Sequence, residues 1–210
     1  MAGFGLMAVV LLCIAALTIM TTRSIDRSLT ENASENSIVQ RSAINFRGSA
    51  HDRSIAVRDV VLAKSSEDRS KELENIRMLA AFYGKSAGDL DRMISTVKTL
   101  PPEVASMYLQ IQEAEKLALE ATQKTIDLTS AGDSEAALSV LWTEAKPRYT
   151  QWLASINKLI DFEEVRIQQN TASANKSAGS FSSIMLGITA IAVLMAAMVA
   201  FLLIRASSAR

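Results

Sequence analysis

Two long stretches of the chain, one near each end, contain no charged residue. No Asp, Glu, Lys, Arg or His occurs in residues 1–22, or between Lys176 and Arg205. Crossing a hydrocarbon core about 30 Å thick takes roughly 20 apolar residues in a helix. The apolar runs 4–20 and 181–204 are close to that length or longer. The pattern therefore predicts two transmembrane helices, with the charged middle of the chain exported to one side of the bilayer.

A secretory signal peptide is the alternative interpretation of the first run. Such signals combine a basic start, a shorter apolar segment and a small-residue cleavage site, and none of these is evident before Arg23. We therefore expect a retained anchor, and its missing basic flank suggests further sequence upstream. Arg205 and Arg210 follow the second run, which favours a cytoplasmic exit for it.

The middle of the chain has the composition of helices separated by three breaks. No alternating β-branched run bounded by turn residues occurs in residues 25–177. Ser65, with an acidic residue three positions later, suits a helix N-terminus. The pair Pro101-Pro102 ends one helix and suits the first turn of the next. Gly132 suits a left-handed C-terminal position before a capping residue. The expected helices are 22–64, 67–99, 102–130 and 134–204.

Short connections between long helices favour antiparallel neighbours. The sequence therefore predicts an all-α fold, an up-down-up-down four-helix bundle flanked by two transmembrane helices. The single cysteine, Cys13, lies inside the first apolar run and excludes an intramolecular disulfide. The expected domains are a first transmembrane helix (1–22), a central four-helix-bundle domain (23–180), a second transmembrane helix (181–204) and the start of a cytoplasmic linker (205–210).

The first helix of the bundle carries two apolar stripes. A helix inside one bundle needs only one such stripe, so the second predicts a homodimer packed along this helix. The alternative is one wide core face in a monomer. The first stripe contains Val39, Ala43, Phe46, Ala50, Val57 and Val60, interrupted by Arg53, and the second contains Ile44, Ile55 and Leu62, with Arg47, His51 and Arg58.

Arginines occupy positions on these stripes where apolar residues are expected. Arg47 and Arg58 fall about 20° apart on a helical wheel, and Arg53 interrupts the other stripe. Arginine is always charged and can bind a carboxylate through two parallel hydrogen bonds. The pattern predicts a small-anion site on the first helix; the alternative is that these arginines pair with nearby acidic side chains.

A second group of candidate ligand-binding residues follows Pro147 on the fourth helix. The proline is expected to kink the helix and release a carbonyl group. The candidate group after it is Arg148, Tyr149, Thr150, Gln151 and Trp152, in which the Arg, Tyr, Thr and Trp side chains form the predicted pocket wall. Tyr149 and its neighbour Trp152 are equally well explained as core or interface residues, and both interpretations stay open here.

Other conspicuous side chains are expected to be structural. Tyr83 and Trp142 are interpreted as packing residues, and the acidic cluster 161–164 as a solvated face. His51 has no second histidine and no cysteine or carboxylate cluster at metal-ligand spacing, so we expect no metal and no cofactor. No Ser-His-Asp set or phosphate-binding glycine loop occurs either, so we expect no enzyme. The 22 basic and 22 acidic residues balance, and no nucleic-acid partner is expected.

Three segments resemble the sensor domains of bacterial methyl-accepting chemotaxis receptors. Residues 44–47 and 51–59 are similar to the first-helix signature of that family. Residues 149–153, with Ile156 and Ile160-Asp161, resemble its fourth helix, and residues 2–6 resemble the opening of its first membrane span.

This resemblance implies a homodimeric receptor in the bacterial inner membrane that binds a small attractant or repellent in the periplasm. It also implies a cytoplasmic continuation after Arg210 that engages signalling proteins. Arg53 and Arg58 best match the family's ligand-binding arginines, Arg47 matches less well, and Thr150 and Gln151 correspond on the fourth helix. Four residues separate Arg53 from Arg58, where the aspartate receptors leave three between their last two arginines. Whether the site lies between subunits or inside one bundle therefore stays open.

The sequence thus predicts a chemoreceptor for a small anionic ligand, an organic acid or an amino acid. Two alternatives remain. The same sensor can precede a histidine kinase or a cyclic-dinucleotide cyclase, or the chain can be a ligandless helical stalk.

Overall fold

The computed structural model describes residues 2–208. It describes their side chains except those of residues 2–11, 13, 31–33, 195–196, 199, 202–203 and 206–208. The described residues form helices and short connections, with no strand. The helices are α1 (Ala2–Glu31), α2 (Ser37–Leu62), α3 (Ser66–Thr96), α4 (Pro102–Ser130), α5 (Ser134–Val140) and α6 (Lys146–Ser208), with π-helical turns at Asn32–Asn36 and Leu141–Ala145.

The first two predicted breaks lie where the local chemistry places them. Ser65 is the N-cap of α3, and its hydroxyl oxygen accepts a hydrogen bond from the Asp68 amide at 3.0 Å. The Ser65 hydroxyl donates in turn to the Asp68 carboxylate at 2.7 Å. Pro102 is the first residue of α4. An N–H at this position has no partner within the helix, so the missing N–H of proline costs no hydrogen bond.

The third break is a left-handed helix end. Gly132 has a φ of 83° and is the one described residue with a positive φ. The Gly132 amide donates to the Thr129 carbonyl at 3.2 Å, and the Asp133 amide donates to the Leu128 carbonyl at 3.0 Å. These two bonds satisfy carbonyls that the end of α4 would otherwise leave open. Asp133 then caps α5 by accepting from the Ala136 amide.

Helix four of the bundle comprises α5, the π-turn Leu141–Ala145 and α6. The expected irregularity at Pro147 takes the form of this π-turn just upstream. The Lys146 amide donates to the Leu141 carbonyl, five residues back. Pro147 has no N–H to donate and its ring crowds the preceding turn, and a wider turn accommodates both constraints.

The chain divides into two compact units, of which the first is Ala33–Ile167. Aromatic rings from four helices meet in its core. The Phe46 ring of α2 lies 4.4 Å from the Tyr83 ring of α3 and 6.0 Å from the Tyr108 ring of α4. The Tyr83 ring lies 5.3 Å from the ring of Trp152 on α6. These contacts confirm the predicted four-helix bundle.

The first stripe of helix one is the α2 contribution to this core, as predicted. Its six apolar members are fully buried, and Arg53 is buried with them. The second stripe differs, because Ile44, Ile55 and Leu62 remain exposed in the single chain.

Two expectations about helix four and its neighbours were wrong. Glu163, expected on a solvated face, is 0% exposed. It continues the helical spacing of the buried residues Trp152, Ile156 and Leu159, so the core stripe carries it inward. Trp142, expected to pack, is instead 54% exposed.

The second unit contains the two ends of the chain, and its described residues are helical. Within the described residues, the helical segment Ser134–Leu194 holds an 18-residue window with a mean hydropathy of 1.7, none of it buried in the protein. By length and composition this one segment can cross a membrane. Most side chains of the first predicted span lie outside the description, as do Met1, Ala209 and Arg210.

Candidate ligand-binding groove

A groove with a volume of about 270 Å³ lies between α2 and helix four. Its α2 wall begins one position beyond the buried Arg53, where the helix surface turns from the core towards solvent. The opposite wall combines the π-turn with the first two turns of α6. The lining residues are Ser54, Ile55, Val57, Arg58, Leu141, Trp142, Ala145, Lys146, Tyr149, Thr150 and Leu153.

The floor of the groove belongs to the hydrophobic core. Val57, Leu141, Ala145 and Tyr149 are all buried, and they also pack within the core cluster. The floor is therefore held in place by the same contacts that stabilise the bundle. A rigid floor of this kind presents a preformed surface to a ligand.

Two cations stand at the edges of the groove. The Arg58 guanidinium is half-exposed and donates through Nε to Asp59 Oδ1 at 3.0 Å. The Lys146 ammonium lies 4.2 Å from the centroid of the Trp142 ring, within the range of a cation–π contact. None of the described residues that line the groove is an aspartate or a glutamate. Arg58 thus pairs with a neighbouring acidic residue, as the alternative interpretation of the arginines expects, but Asp59 lies outside the lining. The lining itself carries positive charge and favours a negatively charged ligand.

The hydroxyl group of Tyr149 is engaged inside the bundle. It lies 3.0 Å from the Thr122 hydroxyl oxygen. The Thr122 hydroxyl donates to the Ala118 carbonyl at 2.8 Å, so Tyr149 is the donor in the pair. Burial raises the pKa of Tyr149, while the bond with Thr122 and the charge of Arg53 oppose that rise. Tyr149 thus offers the groove an apolar ring.

Arg53 lies in the core and does not line the groove. Its side chain is 2% exposed, and its guanidinium lies over the rings of Trp152 and Tyr83. Burial raises the pKa of Glu115 on α4, and the Arg53 charge opposes this rise. Arg53 is therefore placed to stabilise the core electrostatically.

The structure brings together only some of the predicted site residues. Arg58, Tyr149 and Thr150 line one groove, which joins the helix-one and helix-four candidates. Arg47, Arg148 and Gln151 are exposed outside its lining. The Thr150 hydroxyl donates to the Lys146 carbonyl at 3.0 Å, which leaves its oxygen free to accept.

Sequence reasoning missed Lys146 and misassigned Trp142. The signal was present in the spacing, because residues 142, 146 and 150 recur every four positions and share one helix face. Combined with Tyr149 and Leu153, they form a mixed aromatic, basic and aliphatic surface. The described residues contain no group of three or more His, Cys, Asp or Glu able to hold a metal ion.

Comparison with protein families identifies the fold as a signalling module. The model of the family described as a four helix bundle sensory module for signal transduction matches residues 1–178. The chain belongs to this family, which confirms the resemblance carried by the helix-one and helix-four segments. No curated protein and no solved structure matches the chain.

Proposed function

We propose that this chain is the sensor region of a transmembrane chemoreceptor that binds a small carboxylate in the groove between α2 and helix four. The observation that carries the proposal is the groove lining, in which Arg58 and Lys146 flank an apolar floor and no aspartate or glutamate takes part. Asp59, which pairs with Arg58, lies outside the lining. A guanidinium at a partly dry surface is well suited to bind a carboxylate. We assign the chain a binding role and no catalytic one.

The walls of the groove suggest how binding becomes a signal. Residues Lys146, Tyr149 and Thr150 belong to α6, the helix that also contains the second predicted span. A ligand that contacts both walls would favour one arrangement of α6 against α2 over another. Packed helices have discrete arrangements, so a shift of about 1–2 Å can change the output. The ligand transmits nothing unless it binds one arrangement better.

The proposed location is a bacterial inner membrane, with residues 23–180 in the periplasm. Apolar length supports the second span. Hydroxyl groups within both predicted spans donate to their own helix, as Thr18 does to the Ile14 carbonyl and Thr189 to the Met185 carbonyl, each at 2.8 Å. Such bonds satisfy polar groups where water is absent.

Two partners complete the proposal. A second copy of the chain would cover the exposed stripe of Ile44, Ile55 and Leu62, and cytoplasmic signalling proteins would receive the output through sequence beyond Arg210. A histidine kinase or a cyclase in place of a chemotaxis output is compatible with the same sensor, because the family description names the sensory module alone. A ligandless stalk would need no groove with a basic lining.

Titration calorimetry on the 210-residue chain in lipid nanodiscs tests the binding site. The panel contains dicarboxylates, tricarboxylates, amino acids and aromatic monocarboxylates. At least one carboxylate should bind, and Arg58→Ala should weaken it about 10- to 100-fold, as for loss of hydrogen bonds between charged groups. Arg77→Ala is the matched control, because Arg77 is an exposed α3 arginine that pairs with Glu74 at 3.0 Å.

The control variant should bind with unchanged affinity. The carboxylate site is contradicted if Arg58→Ala binds as tightly as Arg77→Ala. If no small molecule binds or raises the melting temperature, the stalk becomes the better description.

A further inference from the structure

The lining of the groove specifies more than the charge of its ligand. Two rings and five aliphatic side chains make up most of the wall. Its polar groups are the two cations, the Ser54 and Thr150 hydroxyls and the Trp142 indole N–H, since the Tyr149 hydroxyl is bonded to Thr122. A ligand with a wholly polar surface would leave these hydrocarbon walls without a partner. Burial of apolar ligand surface is favourable in proportion to its area, so the wall favours an apolar ligand body.

The polar groups of the groove select against an ammonium group. The Ser54 hydroxyl donates to the His51 carbonyl at 2.6 Å, and the Thr150 hydroxyl donates to the Lys146 carbonyl. Each oxygen can still accept one bond, but neither carries negative charge. An ammonium group in the groove would meet Arg58 and Lys146 as like charges, and the Asp59 carboxylate that pairs with Arg58 does not line the groove.

The size of the groove and the exposure of the Trp142 ring narrow the class of ligand further. Pockets for drug-sized ligands measure roughly 300–1,000 Å³, and this groove, at about 270 Å³, is smaller. The Trp142 ring contacts the Lys146 ammonium and is still 54% exposed. Its free surface can stack with an aromatic ligand whose carboxylate reaches a cation.

We infer that the groove selects a small monocarboxylate with an apolar, preferably aromatic body and without an ammonium group. Benzoate and 3-phenylpropionate represent the class. The inference rests on the proposed carboxylate site and specifies its ligand. Trp142 supplies the stacking surface, and Arg58 and Lys146 supply the charge.

Two matched ligand pairs test the inference on the full chain in nanodiscs by calorimetry. Benzoate and benzamide differ in charge at nearly constant shape, whereas 3-phenylpropionate and phenylalanine differ by the ammonium group. Benzoate should bind at least about tenfold tighter than benzamide, the effect of one charged hydrogen bond or more. 3-Phenylpropionate should bind tighter than phenylalanine, because the ammonium group of phenylalanine meets Arg58 and Lys146 as like charges. Aspartate and succinate should bind more weakly than benzoate.

Trp142 variants test the stacking surface separately. Trp142→Ala should weaken benzoate binding about tenfold, whereas Trp142→Phe should keep most of the affinity because it retains a ring. Trp142 is largely exposed, so both variants should fold, and an unchanged melting temperature verifies this. Equal loss in both variants, or no loss in Trp142→Ala, would overturn the role of the ring.

The outcomes separate this inference from the proposed function. If succinate, aspartate or phenylalanine binds tightest and depends on Arg58, the carboxylate site stands and the apolar selectivity is wrong. If benzamide binds as well as benzoate, both the charge argument and the inference fail. If none of the carboxylates binds, the proposed function fails and the inference fails with it.

Discussion

The guanidinium carbon of Arg53 on α2 lies 5.0 Å from the centroid of the Trp152 ring on α6. The same carbon lies 5.7 Å from the centroid of the Tyr83 ring on α3. A planar cation beside two rings is a favourable arrangement in a dry interior. The Arg53 Nε has no hydrogen-bond partner among the described residues, so the rings and the Glu115 carboxylate compensate its burial. This buried cation joins the two helices that form the groove.

Removal of Arg53 should destabilise the bundle. Arg53→Ala leaves a cavity among the rings and removes the cation near the half-buried Glu115, so the free energy of unfolding should fall by about 2–5 kcal/mol. Arg53→Lys keeps the charge but loses the planar stacking, and it should also be destabilised. Urea unfolding in detergent micelles, followed by tryptophan fluorescence, measures both changes.

The exposed Arg77→Ala serves again as control, with an expected change within about 0.5 kcal/mol. An Arg53→Ala protein as stable as this control would show that the buried cation contributes little. The combination of Arg53→Met with Glu115→Gln should recover part of the loss, because Met fills the cavity and no charged carboxylate is left beside it.

The helix boundaries were predictable because each depends on a few adjacent residues. Ser65, Pro102 and Gly132 act through caps, a missing N–H and a left-handed φ, and all three are local in sequence. The buried stripe of α2 was predictable from its spacing alone. Local chemistry thus accounts for most of the fold.

The surroundings of individual polar residues were not predictable in the same way. Arg53 and Arg58 look alike in sequence, yet one lies in the core and the other lines the groove. Their difference depends on which side chains of α3, α4 and α6 face each position, and this is a property of packing between distant segments. Glu163 was misjudged for the same reason, because its acidic neighbours masked its place on the core stripe.

The stability of the bundle should depend on pH through Glu163. The pKa of this carboxyl is raised, chiefly because it is buried, and the charge of Glu35 adds to the rise. Arg166 on the same helix, whose Nη1 lies 2.8 Å from Glu163 Oε1, opposes it. Because the folded pKa exceeds the unfolded one, the folded state binds more protons between the two values. Stability from this group is complete below its ordinary pKa of 4.5 and is lost as pH rises through the folded pKa.

Comparison with Glu163→Gln isolates this effect. The free energy of unfolding of the native protein, minus that of the variant, should decrease as pH rises from about 4.5 and then level off. Unfolding titrations at several pH values measure the difference. A difference that increases with pH would show that Arg166 outweighs burial. A constant difference would show that the two effects on the pKa cancel.

Tyr149→Phe should lower stability without changing ligand affinity. The Tyr149 hydroxyl donates to Thr122 inside the bundle, so its loss should cost about 1 kcal/mol, whereas the ring that lines the groove is retained. Unfolding and calorimetry on the same preparation measure the two effects. A fall in benzoate affinity comparable to that of Arg58→Ala would mean that the hydroxyl turns towards the ligand.

Substitution of two different glycines by alanine should change the free energy of unfolding in opposite directions. No heavy atom lies within 4 Å of a Cβ added at Gly132 or at Gly88, so neither substitution creates a clash. Gly132→Ala forces a side chain into the left-handed region and should cost about 1–2 kcal/mol. Gly88 lies inside α3, so Gly88→Ala should raise the free energy of unfolding by about 0.5–1 kcal/mol. Two changes of the same sign in urea unfolding would contradict the conformational explanation.

The exposed stripe of α2 provides a direct test of the proposed homodimer. Ile44 is 51% exposed in one chain, so a charge there costs a monomer little but would be buried without a partner in a dimer packed along α2. Ile44→Glu should therefore convert the protein from two copies to one in light scattering of the detergent-solubilised chain. Met78→Glu is the matched control, because Met78 is 59% exposed on α3. If Met78→Glu separates the copies and Ile44→Glu does not, the subunits pair through α3; if the native chain is monomeric, the second stripe has no partner in this form of the protein.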